Sequence, residues 1–288
     1  MAAADIILLD ADIVAYALAS RAQKTIQWPG AEEPTVWLDD WAEMPERIDA
    51  VISELTRKLK TTNLVVCLSC PTAENWRLDH LPSYKGNRKA VVKPEYLARV
   101  KDYLEQAYPS YRRDRLEADD IMGILSTMPG LPKVLVDAGM PKAGRKIIVS
   151  EDKDMKTIPG WLFNPAKDKA PRLISDAEAD WWHLYQTLVG DATDGYAGCP
   201  GIGPKKAALA LTPWEAGVHD EASWKCAVVP LFSAALGRGA GRPVSQHEAE
   251  QDALTQARVA RICRASDYDF NRKEVIPWTP DSLRPLKP

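Results

Sequence analysis

The sequence predicts an α/β fold with a mostly parallel central sheet flanked by helices, followed by an all-helical C-terminal region. One observation is that short apolar runs, typical of buried parallel strands, alternate with helical patterns as far as Ser150. Another is that only helical patterns remain after about residue 175. We therefore expect an α/β domain over residues 1–174 and a helical domain over residues 175–288.

Three apolar runs predict the core strands of the sheet. They are Ile6–Leu9, Leu64–Leu68 and Lys146–Ser150. Each is short and nearly uniformly apolar, as expected for strands covered by helices on both faces. Asp10 follows the first run, so the first strand should end there.

Helices are predicted from apolar residues that recur three or four positions apart. The clearest stripe lies between Met44 and Leu59. Further helices are predicted over Ile13–Ser20, Tyr96–Ala107, Leu116–Leu125, Ala177–Val189, Pro204–Leu211 and Gln246–Arg264. Loops are expected at Gly195–Gly203 and Gly237–Pro243, and an irregular tail after Pro277.

Composition and charge narrow the functional classes. The 288 residues are 45% hydrophobic and 27% charged, with a net charge of −3. This balance is ordinary for a globular protein, and nucleic-acid binding would need locally grouped Lys and Arg. The five scattered cysteines do not resemble a disulfide framework, and the N-terminus lacks the basic start of a signal peptide. We expect a reducing cytoplasm.

The pair Cys67 and Cys70 forms a CxxC motif. One interpretation is a zinc or redox pair, and the other is two thiols on a buried strand and at its end. The sequence has no second CxxC, and its four histidines show no ligand spacing, which favours the structural interpretation.

Acidic residues recur in groups beside the apolar runs. The groups are Asp10 and Asp12; Glu117, Asp119 and Asp120; Asp152 and Asp154; and Asp191 and Asp194. Adjacent carboxylates repel and raise one another's pKa, so grouping them is costly unless a cation neutralises them. Carboxylate and water oxygens suit Mg²⁺ and Mn²⁺.

The positions of these acids indicate a shared site. Asp10 ends the first strand, and Asp152 and Asp154 follow the third. In open α/β sheets, ligands bind at this carboxyl edge, so four segments could deliver carboxylates to one pocket. Any single pair could instead be a solvated helix cap, and Asp12 could be only the N-cap of the helix that follows.

Two basic segments are candidate phosphate contacts. Tyr84–Lys89, followed by Lys93, places an aromatic ring beside cations, although an ordinary exposed loop would have the same composition. Gly201–Lys206 combines two glycines with two lysines at a predicted helix start, where backbone N–H groups can approach a phosphate. Acids that hold cations, together with basic segments, suggest phosphodiester chemistry on nucleic acid.

Together these segments resemble the 5′-nuclease superfamily, and most closely the exonucleases of T-odd phages. The likeness runs from Leu8 to about Phe270. The segments that carry it are Leu9–Asp12, Leu81–Lys89, Leu116–Asp120, Ser150–Asp154, and Asp180–Leu184 leading into Gly190–Tyr196. The resemblance implies a PIN-like α/β domain followed by a helical domain with a helix-turn-helix DNA-binding element.

The resemblance also implies two metal sites. It implies that Asp10, Glu117 and Asp119 are ligands of the first ion. The residues that resemble ligands of the second ion, some through water, are Asp120, Asp152, Asp154, Asp191 and Asp194. The expected ions are Mg²⁺, with Mn²⁺ as a substitute.

Further roles implied by the resemblance concern DNA. Lys85 and Arg88 match a catalytic basic pair that contacts the scissile phosphate, and Tyr84 matches an aromatic that stacks near the reacting end. Gly201–Lys206 resembles the helix-turn-helix element that grips duplex phosphates, and K⁺ at this element is an option. The residues expected to bind DNA are Tyr84, Lys89, Lys93, Gly201, Gly203, Lys205 and Lys206.

The implied function is a metal-dependent 5′→3′ exonuclease or flap endonuclease acting at 5′ ends of duplex DNA in phage-type replication or primer removal. The RNA of RNA–DNA hybrids is an open second substrate. Cys70 stands where the family usually has an aspartate, and a thiol is a poorer Mg²⁺ ligand. This departure keeps open a catalytically weak or inactive DNA-structure-binding protein. A toxin-type PIN ribonuclease is disfavoured by the helical final third.

Overall fold

The computed structural model describes residues 4–90, 92–211 and 223–282. These residues form two compact units. The first unit contains residues up to 70, 92–152 and 161–172, and the second contains residues 71–90, 153–160 and those from 173 onward. The domain boundary after residue 174 stays a prediction. Within the described ranges, no helix is long and apolar enough to cross a membrane.

The elements alternate along the first part of the chain. The strands are β1 (Asp5–Asp10), β2 (Gln23–Ile26), β3 (Thr35–Leu38), β4 (Leu64–Cys67), β5 (Ser110–Tyr111), β6 (Arg145–Val149), β7 (Gly160–Phe163), β8 (Arg172–Ile174), β9 (Tyr268–Asp269) and β10 (Glu274–Val275). The α-helices are α1 (Ala11–Arg21), α2 (Met44–Leu59), α3 (Leu97–Ala107), α4 (Ala118–Thr127), α5 (Lys133–Asp137), α6 (Asp176–Val189), α7 (Pro204–Ala210), α8 (Val229–Ala240) and α9 (Gln246–Ala260).

A six-stranded sheet confirms the predicted α/β architecture. Its strand order is β5-β4-β1-β6-β7-β8, and β1 pairs in parallel with both β4 and β6. Ile7 lies opposite Leu64 on one side and Ile147 on the other. Because β1 and β6 run parallel in adjacent positions, Asp10 and the residues after Val149 emerge at the same edge.

The core of the first unit forms between this sheet and its helices. Ile7 and Val149 from the strands pack in one buried cluster with Ile48 and Ile52 of α2 and Leu104 of α3. Helix α2 has the predicted bounds: its apolar stripe faces the sheet, and Lys60 ends it in a left-handed conformation (φ 54°).

In the second unit, helices α6 and α9 pack together around a separate core. Alanines 249, 253 and 257 of α9 are fully buried at helical spacing, which lets the two helices approach closely. Ser175 caps α6 by accepting a hydrogen bond from the Glu178 N–H, and Ser245 and Glu248 form a capping box on α9. These caps define the helix starts.

The all-helical prediction for the final third is wrong in one respect. Strands β9 and β10 form an antiparallel hairpin. Its turn is closed by the Asp269 carboxylate, which accepts from the N–H groups of Asn271 and Arg272, and Lys273 adopts a φ of 59°. This local Asx turn favours the tight connection between the two strands, which lie after the last predicted helix.

Two further boundaries differ from prediction. Helix α9 ends at Ala260 rather than Arg264, because the Arg77 guanidinium donates to the carbonyls of Val259 and Arg261 and closes the helix end. Gly237 lies inside α8 rather than in a loop. The hairpin β2–β3 was not predicted, since its short strands are largely exposed and lack a buried apolar run.

Candidate active site

Asp10 is buried at the carboxyl end of β1, with only 2% of its surface exposed. One carboxylate oxygen accepts from the Ile13 N–H at 3.2 Å and so caps α1, and the other accepts from the Ser150 hydroxyl at 2.7 Å. The same hydroxyl accepts from the Asp152 N–H at 3.0 Å. Ser150, which follows β6, thus connects two of the predicted metal ligands.

The environment at this edge of the sheet disfavours the ionised form of the Asp10 carboxyl group. Burial raises the pKa of Asp10 from its ordinary 3.8 to about 7, repulsion from Asp12 and Asp152 adds to the rise, and the two hydrogen bonds oppose it. Burial also raises the pKa of the Cys67 thiol, with further contributions from Asp10, Asp12 and Asp119. Asp12 has a cationic partner, the Lys101 ammonium, at 2.8 Å.

The second acidic segment of the first unit opens helix α4. Glu117 and Asp120 form a capping box, in which the Glu117 N–H donates to the Asp120 carboxylate at 3.3 Å. Asp120 is fully buried, Glu117 nearly so, and Asp119 half-buried. This capping role is the alternative that the sequence left open.

The end of β4 is tied to the start of α4. The Ser69 hydroxyl accepts from the Ala118 N–H at 2.8 Å, and the Cys70 N–H donates to the Leu116 carbonyl at 2.8 Å. Cys67, the last residue of β4, and Cys70, just after this strand, are both buried. This placement agrees with the interpretation of two thiols on a buried strand and at its end.

In the second unit, Asp191 and Asp194 lie on a tight turn after α6. Gly190 and Gly198 close this turn by direct backbone contact, since a Cβ on either would lie 2.4 Å from backbone atoms of the opposite segment. Both glycines have positive φ. The Asp191 carboxylate accepts from the N–H groups of Thr193 and Asp194, which fixes its position at the turn.

The predicted basic pair docks on this acidic turn. The Arg88 guanidinium contacts the Asp194 carboxylate at 2.5 Å, and the Lys85 ammonium lies 3.6 Å from it. Lys85 has a left-handed backbone (φ 53°), held by a bond from its N–H to the Asp194 carbonyl at 2.8 Å. The Asn87 amide donates to the Ala192 carbonyl at 2.8 Å and so adds a further link.

Tyr84 belongs to the same cluster but is buried. Its hydroxyl donates to Asp194 at 3.0 Å, and its ring packs against Tyr196, Val259 and Ala260. Stacking of this ring on a base stays a prediction, while its observed contact is with the carboxylate. Burial, followed by repulsion from Asp154, Asp191 and Asp194, raises the pKa of Tyr196.

Asp154 lies on a single turn of 3₁₀ helix, Lys153–Thr157, in the second unit. It accepts a hydrogen bond from the Gln186 amide of α6. Lys153 on this turn donates to the Asp191 carboxylate at 2.9 Å. Burial would raise the pKa of Asp191, but the bonds from Lys153 and from backbone N–H groups outweigh burial and lower it.

The remaining predicted residues lie apart from these contacts or outside the description. Lys93 is exposed, and the side chain of Lys89 lies outside the described residues. Gly201, Gly203, Lys205 and Lys206 are exposed around the start of α7, where Gly203 is the N-cap. The region after Leu211 that would complete a helix-turn-helix also lies outside the described residues.

The donor chemistry fits a hard divalent cation. Among the residues that the structure describes, no three His, Cys, Asp or Glu side chains are grouped to hold a metal ion by themselves. Mg²⁺ usually keeps several waters and binds through one or two carboxylates, so Asp10 beside Asp152 suits it. The convergence of all four acidic segments on one pocket stays a prediction.

Several residues of the site were missed in the sequence. Ser150, Lys153 and Asn87 lie inside segments that carry the family resemblance, but the sequence indicated no role for them, and Gln186 lies outside those segments. Their roles come from hydrogen bonds between distant segments, such as Gln186 to Asp154 and Asn87 to Ala192.

Comparison with known proteins identifies the family. An exonuclease of Escherichia phage T7 is 31% identical over 305 residues, covering 96% of this chain and 93% of the relative. The chain belongs to the 5′-nuclease superfamily. A second 5′-nuclease relative, the exodeoxyribonuclease of Enterobacteria phage T3, is 30% identical over 309 residues with the same coverage. No model of a protein family matches the chain.

The fold agrees with that of a solved 5′-nuclease. The T5 5′-exonuclease with bound zinc superposes with a TM-score of 0.54 at 14% identity, covering 89% of both chains. As a 5′-nuclease, the protein is an enzyme of the exonuclease and flap endonuclease class, as the resemblance implied. An inactive DNA-structure-binding protein is not favoured, despite Cys70.

Proposed function

We propose that the protein hydrolyses phosphodiester bonds at the 5′ ends or flaps of duplex DNA and releases 5′-phosphorylated products. The relatives named exonuclease and exodeoxyribonuclease support this reaction. The observation that carries the proposal is the buried Asp10, held with Asp152 through Ser150 at the carboxyl end of a parallel sheet. Phage DNA replication or primer removal is the proposed setting.

We infer a dependence on two divalent cations, Mg²⁺ with Mn²⁺ as a substitute. Divalent ions bound to the T5 5′-exonuclease support this dependence. The proposed ligands of the first are Asp10, Glu117 and Asp119, and those of the second are Asp120, Asp152, Asp154, Asp191 and Asp194. When bound, such ions lower the pKa of water and offset charge on the departing oxygen.

The protein's own residues would orient and neutralise the phosphate. In the proposed reaction a water oxygen bonds to phosphorus while the phosphorus–O3′ bond breaks, which leaves the phosphate on the 5′ side of the product. Lys85 and Arg88 would stabilise the charge that develops on the non-bridging oxygens. Both side chains contact the Asp194 carboxylate, which therefore holds the ammonium and the guanidinium groups close to each other.

DNA contacts away from the reacting bond would be made mainly to phosphates. Gly201–Lys206, with its left-handed Gly201 (φ 76°) and exposed lysines, is the proposed helix-turn-helix contact, with K⁺ as an optional ion there. Residues 175–288 would form the DNA-binding domain and residues 1–174 the PIN-like nuclease domain. Affinity should then depend strongly on salt and weakly on sequence.

The test is digestion of blunt duplex, 5′-flap and RNA–DNA hybrid substrates with and without Mg²⁺, followed by identification of product ends. We expect cleavage only with the cation, and 5′-phosphates in the products. Asp120→Ala and Asp152→Ala should each lower the cleavage rate at least roughly 1,000-fold while largely preserving DNA binding. Asp137→Ala, an exposed acid paired with Lys133, is the matched control. Full activity of Asp152→Ala would contradict the metal assignment.

A further inference from the structure

The ion pair between Lys153 and Asp191 joins two residues of very different exposure. The ammonium lies 2.9 Å from the carboxylate. The Asp191 side chain is only 9% exposed, whereas that of Lys153 is 71% exposed. A buried carboxylate is therefore neutralised by a lysine that reaches it from the surface. A flexible four-carbon stem allows such an ammonium to leave and return at low cost.

The backbone that carries Lys153 is firmly anchored. The 3₁₀ turn Lys153–Thr157 is held by the Arg264 guanidinium, which donates to the Thr157 carbonyl at 2.9 Å. The Thr157 hydroxyl donates to the Asp154 carbonyl at 2.8 Å, and the Gln186 amide binds the Asp154 side chain. Movement of the lysine stem can therefore uncover Asp191 while the anchored turn keeps its position.

Two other cations contact the acidic turn through Asp194. Arg88 contacts its carboxylate and also donates through its Nε to the Thr193 carbonyl at 3.1 Å. Lys85 lies 3.6 Å from the same carboxylate with a side chain only 10% exposed, so Lys153, at 71%, is the most exposed of the three cations.

We propose that Lys153 is a tethered competitor of the divalent cation at Asp191 and sets the cation concentration at which the enzyme becomes active. This inference rests on the proposed function, in which Asp191 is a metal ligand. A divalent cation at the Oδ2 atom and the Lys153 ammonium repel each other and compete for the same negative charge. Cation binding therefore favours displacement of Lys153, and the apparent affinity for the cation is lowered by the strength of the ion pair.

The expected size is modest, because a partly exposed ion pair is weak. Removing the competitor should tighten cation binding about two- to fivefold. The direction distinguishes Lys153 from a supporting residue. A residue that helps to hold the cation would weaken binding when it is removed.

The experiment measures Mn²⁺ binding to the full chain without DNA, by electron paramagnetic resonance of the free ion. Lys153→Met is compared with the unaltered protein and with Lys153→Arg, which keeps the charge. Lys156→Met is the matched control, because it removes the same charge from the same 3₁₀ turn at a lysine that lies 4.3 Å from the centre of the Trp182 ring. The Mg²⁺ concentration for half-maximal cleavage is then measured for all four proteins.

We expect Lys153→Met alone to bind Mn²⁺ more tightly and to reach half-maximal cleavage at lower Mg²⁺. Equal tightening in Lys156→Met would indicate a general field effect and overturn the inference, as would weaker binding in Lys153→Met. The Asp191→Asn variant distinguishes failure of the inference about Lys153 from failure of the assignment of Asp191 as a metal ligand. If Asp191→Asn loses a binding site while Lys153→Met changes nothing, only the inference fails. If Asp191→Asn binds normally, its assignment as a metal ligand fails as well.

Discussion

The two acidic regions of this nuclease differ in what neutralises them. In the first unit, Asp10 is buried against neutral donors, the Ser150 hydroxyl and the Ile13 N–H, and its pKa rises to about 7. In the second unit, Asp191 is bonded to Lys153 and its pKa is lowered, and Asp194 contacts Arg88 and Lys85. The carboxylate pKa is therefore raised in the first unit, at Asp10, and lowered in the second, at Asp191.

This difference shows that the number of acidic residues alone does not determine how strongly their charges are compensated before a metal binds. Burial and repulsion between neighbouring acids destabilise the ionised form of Asp10, and a bound divalent cation would offset this cost. The Asp191–Asp194 turn is already compensated by the protein, and a cation there would replace existing ion pairs. Cation binding should therefore stabilise the first region more than the second.

The largest expected effect concerns the pH dependence of stability. The pKa of Asp10, raised from 3.8 to about 7, corresponds to roughly 4 kcal/mol of destabilisation when the group is ionised. The folded state binds a proton that the unfolded state has lost between these pH values, so the free energy of unfolding should fall as pH rises from about 4 to 7.

The measurement is urea unfolding of the metal-free protein at pH 4 and pH 8. Asp10→Asn should be more stable than the unaltered protein at pH 8, with little difference near pH 4. Addition of Mg²⁺ at pH 8 should restore stability to the unaltered protein but not to the variant. If the free energy of unfolding depended on pH in the same way in both proteins, the pKa of Asp10 would not be raised in the folded state.

A smaller effect of opposite sign is expected for the second region. Asp194→Asn should lower the free energy of unfolding by about 1–2 kcal/mol, because Arg88, Lys85 and the Tyr84 hydroxyl lose a charged partner. The same unfolding experiment at pH 8 checks this. Asp10→Asn is predicted to be stabilising at this pH. If Asp194→Asn were stabilising as well, the proposed difference in charge compensation between the two acidic regions would be wrong.

The smallest effect is expected for Tyr84→Phe. The ring stays in its buried cluster, and loss of the hydrogen bond to Asp194 costs about 1 kcal/mol. Thermal unfolding gives the stability change, and the cleavage assay should show near-normal turnover. A loss of turnover larger than that of Lys85→Ala would assign the hydroxyl a direct part in the reaction.

Much of the fold could be predicted because local patterns and global packing agree. Helix α2 has the predicted bounds, since its apolar stripe from Met44 to Leu59 is both locally helical and buried against the sheet. Hairpin β2–β3 was missed because its strands are short and exposed. The end of α9 was misplaced because Arg77, far away in sequence, closes it.

The sequence by itself determined the parallel α/β sheet, the family, and which acidic segments follow core strands or open helices. These features depend on residue type, spacing and order, all of which are local properties of the chain. Only the tertiary structure decided which charges are compensated: Lys153 contacts Asp191, Arg88 contacts Asp194, and the buried Asp10 accepts from the neutral Ser150 hydroxyl and Ile13 N–H. The physical reason is that desolvation and ion pairing depend on distances between segments far apart in sequence, which no local pattern records.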